Sequence, residues 1–160
     1  MKSRKMMHMA AKIKAGILLS MIFAGGISIA RLPAFQGDAS ATVGKLKSTA
    51  EAQHEIIMIL LKQKEYEKAL AEANKIFDMK WPADQEALLL DELLILTKAF
   101  KDQGQAALGL KLADRNLGCF KKNSSQAALW KEKGYLHNSL GREDKALECF
   151  KKARDLEGGK

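Results

Sequence analysis

From Ser48 onward the apolar positions return every three or four residues, the period of a helix that buries one face. Ile56, Ile57 and Leu60 are followed, after a polar break, by Tyr66, Ala69, Ala73 and Ile76. Leu93, Leu96, Thr97 and Phe100 lead through Gly104 to Gly109 and Ala113. Ala128, Leu129 and Leu136 precede Leu140-Gly141, and Ala146, Leu147, Phe150, Ala153 and Leu156 come after it. Ser124-Ser125 can cap the helix before that break, a second helix starts near Glu143, and Gly158-Gly159 stops it. Amphipathic helices joined by so short a turn must pack antiparallel. An aromatic content of 6% and only two prolines also favour helix over sheet. The fold class expected is all-α.

The last third carries a specific resemblance. ALWKEKGYLHNSLGREDKALECFKKARDLEG resembles a tetratricopeptide repeat, with Trp130, Gly134, Leu140-Gly141, Ala146, Phe150 and Ala153 at the family's spacing and Lys133, His137 and Gly158 departing from it. Gly134 and Ala146 let two helix backbones approach, while Trp130 and Phe150 fill the space between them. Weaker units keep the same phase: Leu93, Phe100, Gly109 and Ala113 in the middle one, Ala69 and Ala73 in the first. Ala69, Gly109 and Ala146 lie 40 and 37 residues apart, against a family period of about 34, which implies a longer first helix in the middle unit and a longer link near Gly118-Cys119. The resemblance implies units at about 48–81, 83–118 and 124–158, stacked as a short right-handed superhelix.

Ahead of this domain the pattern changes. Lys2, Arg4, Lys5, Lys12 and Lys14 precede an uncharged run from Ala15 to Ala30, which as a helix would rise about 24 Å, short of a roughly 30 Å hydrocarbon core. Small-residue cleavage sites follow at Ser28-Ile29-Ala30 and Ala39-Ser40-Ala41. Residues 1–30 fit a secretory signal peptide, with an uncleaved membrane anchor as the close alternative and a buried helix of a cytosolic protein as a third. The first two place the later domain on the periplasmic side of a bacterial inner membrane. Residues 31–47, with Pro33, Gly37 and Gly44, read as a linker.

Charge follows this division. The formal net charge is +8, of which residues 1–41 supply +5, with six cations against Asp38 alone. The other 21 cations face 18 anions, interspersed as on solvated helix faces, and no basic stripe with aromatics suggests nucleic acid. No enzyme constellation is visible: His8, His54 and His137 stand apart without ligand-spaced companions, and there is no phosphate loop, nucleophile elbow or CxxC pair. The sequence calls for no cofactor and no metal. If the domain is exported, Cys119 and Cys149 could form one disulfide. The reading favoured is two separate buried small apolar side chains, since Cys149 falls among the apolar residues of its helix.

The resemblance implies that first helices line a partner-binding groove. Its phase places His54, Met58 and Leu61, then Leu94, Lys98 and Lys101, then Lys131, Tyr135 and Asn138 on that surface. It would be apolar at one end and cationic at the other, suiting an amphipathic helix or an extended peptide with acidic groups. A variant of the family clamps C-terminal carboxylates with Lys, Asn and Arg; at the matching places this chain has His54, Met58, Ile95, Ala128 and Glu132, so that clamp is absent. The expected function is a non-catalytic adaptor of an envelope complex. The alternatives are a small chaperone for exported clients and a single-helix accessory subunit of a membrane complex. With no polar capping helix after Leu156, the outer face near Leu147, Phe150 and Leu156 is expected to meet a second copy or a partner.

Overall fold

The computed structural model describes the backbone of residues 37–158 and the side chains of 41–158. Six α-helices are present among them and no strand: α1 (Gly37–Lys62), α2 (Tyr66–Asp78), α3 (Glu86–Asp102), α4 (Ala106–Asn116), α5 (Asn123–Ser139) and α6 (Glu143–Glu157). They pair in chain order, α1 on α2, α3 on α4 and α5 on α6. Between hairpins, α1 packs on α3 and α3 on α5, while α2 packs on α4 and α4 on α5. The architecture is all-α, as the apolar period requires, and α1 begins eleven residues ahead of the first expected unit.

The three reversals are made in the same way. Each hairpin turns on a single left-handed residue: Lys64 (φ 61°), Gly104 (φ 73°) and Gly141 (φ 66°). The amide after it reaches back over the helix end, Glu65 to the Leu60 carbonyl at 2.9 Å, Gln105 to Phe100 at 2.8 Å and Arg142 to His137 at 3.0 Å. The left-handed residue's own amide bonds Leu61, Lys101 or Asn138 at 2.8–3.1 Å. This paired pattern satisfies terminal carbonyls that the helix leaves unpaired. Glycine takes the conformation freely; lysine at position 64 holds it against a steric cost.

A continuous apolar core runs from α1 to α5 through Ile57, Ala69, Ile76, Leu93, Leu96, Phe100, Leu112, Phe120 and Leu129. All the residues expected to pack the repeats are buried or half-buried: Ala69, Ala73, Leu93, Phe100, Gly109, Ala113, Trp130, Gly134, Ala146, Phe150 and Ala153. Gly134 is the tightest point, because a Cβ there would lie 2.6–2.8 Å from the Phe150 ring. A Cβ on Gly109 would meet Leu136 and the Thr97 carbonyl at 3.2 Å. Leu147, by contrast, stands 52% exposed on α6.

Polar groups close the seams between hairpins. Asn116, buried on α4, donates to Asn74 on α2 at 3.1 Å and to the Leu112 carbonyl at 2.8 Å. Lys133, buried on α5, reaches Asp114 at 2.7 Å and lies over the Trp130 ring. Glu86, only 7% exposed at the start of α3, caps the start of α5: its carboxylate accepts the Lys122 amide at 3.0 Å. The Ser125 hydroxyl holds this carboxyl below its ordinary range; burial opposes it, and the Lys122 and Lys121 amides with the Lys122 charge reinforce it. Here the sequence expectation is corrected: α5 starts at Asn123, and Ser125 serves the carboxylate of another helix instead of capping its own.

Two further corrections follow. Residues 37–47, expected as linker, are the first turns of α1, and the Ala39-Ser40-Ala41 site lies within the helix. No proline follows Pro33 until Pro82, and a lone Gly44 weakens a helix by only about 1 kcal/mol, so the docked turns from Ala50 onward extend toward the N-terminus. The cysteines are free: Cys119 is exposed beside the link from α4 to α5, and Cys149 is buried on α6. One cysteine faces solvent while the other sits in the packed interior, so there is no bridge, and Cys119 is not the buried apolar filler expected. The apolar segment 15–30, His8, Ser28-Ile29-Ala30 and linker residues 31–36 lie outside the described residues. Among the described residues no helix is long and apolar enough to cross a membrane.

Replacing Lys64 with glycine will stabilise the domain by about 0.5–1 kcal/mol in chemical denaturation, since it removes the left-handed strain. Gly134→Ala will cost about 1–3 kcal/mol, and adding Phe150→Leu will recover part of the loss by making room for the new methyl. Acid will act in two stages. Burial, then the charges of Lys145, Arg142 and Lys133, hold His137 below its ordinary value against Asp114, so the unfolded chain takes up that proton first. Stability therefore falls as pH drops below about 6.5. The Glu86 contribution is complete above its unfolded value of about 4.3 and is lost as pH falls through the lower native one. Thermal midpoints against pH will show both limbs, with His137→Asn flattening the first and Glu86→Gln the second.

Candidate partner-binding groove

An open cavity of about 510 Å³ lies between the middle of α1 and the first turns of α3. Its walls come from two helical faces at three- and four-residue spacing: Lys47, Ala50, Glu51, His54 and Glu55 on α1, and Leu88, Asp91, Glu92 and Ile95 on α3. Ile76 of α2 contributes from below. The interior is thus apolar, with Ala50, Ile76, Leu88 and Ile95, and the rim is polar. Ile95 is 49% exposed beside the fully buried Leu93 and Leu96, so α3 presents an apolar side chain outward as well as inward.

One pair bridges the walls. The His54 ring is 2.7 Å from the Glu92 carboxylate through Nδ1, and both side chains are largely covered. Against an ionised Glu92, which only accepts, the bond requires the hydrogen on Nδ1. Glu51, Glu55 and Asp91 have no ion-pair partner among the described residues. Four carboxylates and a single lysine therefore surround an apolar hollow. Glu51 and Glu55, one helical turn apart, repel each other with little between them to compensate.

The structure redistributes the nine residues expected to line the groove. Only His54 lines this cavity. Leu61 is 2% exposed and belongs to the core, so it offers nothing to a partner; α1 is rotated enough to turn that position inward. Met58 and Leu94 are half-buried, Lys101 likewise, and Tyr135 and Asn138 are exposed at the far end. The expected cationic character is also muted. Lys98 pairs with Asp102 at 2.6 Å, which holds its ammonium above the ordinary range, and Lys131 pairs with Glu157 at 2.6 Å. Tyr135 leans its ring edge-on to Phe150 at 5.2 Å, packing within its own hairpin.

Sequence reasoning passed over Glu51, Glu55, Leu88, Asp91 and Glu92, and met Ile95 only as a place where a carboxylate clamp is missing. Two signals were legible: like charges at i,i+4 on Glu51 and Glu55, and an isoleucine at 95 out of phase with Leu93 and Leu96. Neither says that the two faces meet. Among the described residues no group of three His, Cys, Asp or Glu side chains is placed to hold a metal ion. The cavity lining holds no Ser, Thr, Cys or Tyr beside His54–Glu92.

The cysteines give a direct check on the packing. Burial, ahead of opposing charge from Lys133, pushes the Cys149 thiol up, whereas Cys119 is open to solvent. Under native conditions at neutral pH a thiol reagent will label Cys119 alone, with the Cys149 adduct appearing only in denaturant when read by peptide mass spectrometry. Equal labelling of both would mean that α6 is not seated as described.

The chain matches no protein-family model, no curated protein and no solved structure, so the chemistry of this groove rests on its own residues.

Proposed function

We propose that this chain is a non-catalytic protein–protein interaction adaptor, a tetratricopeptide-like stack of three helical hairpins that holds a segment of a partner on its first-helix face. The observation that carries this reading is the apolar hollow between α1 and α3, with Ile95 half-exposed at its edge. A solvent-facing isoleucine costs the isolated domain apolar exposure, and burying it against a partner recovers that energy. The three similar turns support the tetratricopeptide-like reading, as do Gly109 on α4 and Gly134 on α5, where small residues let a neighbouring helix approach closely. The cationic start and the apolar run at 15–30 support export across, or anchoring in, a bacterial inner membrane, with the helical domain on the periplasmic side. The adaptor would then serve an envelope complex.

The test uses the full-length chain in the cell it comes from, with a photo-crosslinking residue at Ile95 and, as reference, at exposed Lys151 on α6. A discrete adduct at 95 and not at 151 is expected. Ile95→Asp should reduce capture of the same partner by at least tenfold while leaving the thermal midpoint within about 2 °C, since the side chain is half in solvent already. Identical adducts from both positions, or none from 95, would remove the groove from the mechanism.

A further inference from the structure

We propose that the segment held between α1 and α3 is cationic: an amphipathic helix of a partner protein that lays an apolar side chain into the hollow and sets lysines or arginines against its rim. This rests on the adaptor reading above and names the chemistry of the occupant. The sequence pattern points to an acidic partner; the structure reverses that sign.

Three observations carry the inference. The first is where the charge lies. In a chain of formal net charge +8, the cavity gathers Glu51, Glu55, Asp91 and Glu92 against Lys47 alone. The second is that most of this charge is unspent within the domain. Glu92 meets His54, but Glu51, Glu55 and Asp91 are exposed and make no ion pair among the described residues. Of the three lysines expected further along the first-helix face, Lys98 and Lys131 behave oppositely, engaged by Asp102 and Glu157, and Lys101 alone makes no ion pair among the described residues. A partner's carboxylates would have to displace those pairs, whereas a partner's cations find open acceptors.

The third observation is the spread of the acids. They are not gathered to chelate one ion, since no group of three is placed for a metal. They occupy two helices, on opposite walls of an apolar trough, at one-turn intervals on α1. Cations along both flanks of an amphipathic helix match that layout, with the apolar stripe between them meeting Leu88 and Ile95. A small ligand is a poorer match, because the hollow offers few inward polar groups beyond His54–Glu92 to fix its orientation.

The experiment measures full-length protein against two fluorescein-labelled 18-residue helical peptides by anisotropy. Both carry the same Leu/Ala stripe; one has lysine and the other glutamate at every flanking position. General attraction to a chain of net charge +8 favours the glutamate peptide, so a preference for lysine reports the groove and not the net charge. The lysine peptide is expected to bind at least tenfold tighter. Its affinity should fall by about tenfold in the triple variant Glu51→Gln, Glu55→Gln, Asp91→Asn and by a similar factor between 50 and 500 mM salt. These positions are exposed, and circular dichroism checks that the helices persist.

Equal affinities, a glutamate preference, or lysine-peptide binding untouched by the triple variant would overturn the inference. If the glutamate peptide binds and Ile95→Asp abolishes it, the groove reading stands and the cationic occupant falls. If neither peptide binds, the cationic occupant also falls, and crosslinking at Ile95 decides the groove reading separately.

Discussion

The stack depends first on how each helix is made to turn back. A left-handed residue at 64, 104 or 141 lets two amides fold over the preceding helix end, so every hairpin reverses with the same backbone geometry. Without that reversal the apolar stripes of α1 and α2, or of α5 and α6, would point away from one another and the core from Ile57 to Leu129 could not form. The constraint is local, costs only three residues per turn, and fixes which faces are left for the next hairpin.

The faces left over are joined by different chemistry at each seam. Between the second and third hairpins, Glu86 caps the backbone of α5, Thr97 reaches Glu132 at 3.3 Å, and Lys133 meets Asp114. Between the first and second, Asn74–Asn116 and an Arg115–Asp78 pair, made through one guanidinium nitrogen, tie α2 to α4, but the α1–α3 side opens into a hollow bridged by His54–Glu92. One seam is closed by side chains and the other is left with space. The candidate site is therefore a consequence of imperfect filling between units more than of any special residue.

This explains what could be read from the chain and what could not. Hairpin positions were legible because Gly104, Gly141 and the spacing of Ala69, Gly109 and Ala146 are local signals, and Lys64 was the exception since lysine gives no hint of a left-handed backbone. Gly37 and Gly44 read locally as breakers, while a helix already docked from Ala50 runs on through them. Groove residues were projected from a common phase, and the phase failed on α1, where Leu61 turns inward and Glu51 and Glu55 reach the rim. The rotation of a helix about its axis is set by what it packs on, and that is a long-range property. Cys119 shows the same limit, since exposure beside a link cannot be read from composition.

The Glu86 cap has a consequence for how such a chain can change over generations. The carboxylate sits at the head of one helix and closes the head of the next but one, across the whole of α4 and the link after it. The corresponding place on α1 holds Leu46, so among the described residues the arrangement occurs at one junction. A residue inserted between Asn116 and Asn123 would carry the amides of Lys121 and Lys122 away from their acceptor, so length there is held more tightly than at an ordinary surface loop. The hairpins share a turn but not a junction, so they are not interchangeable cassettes.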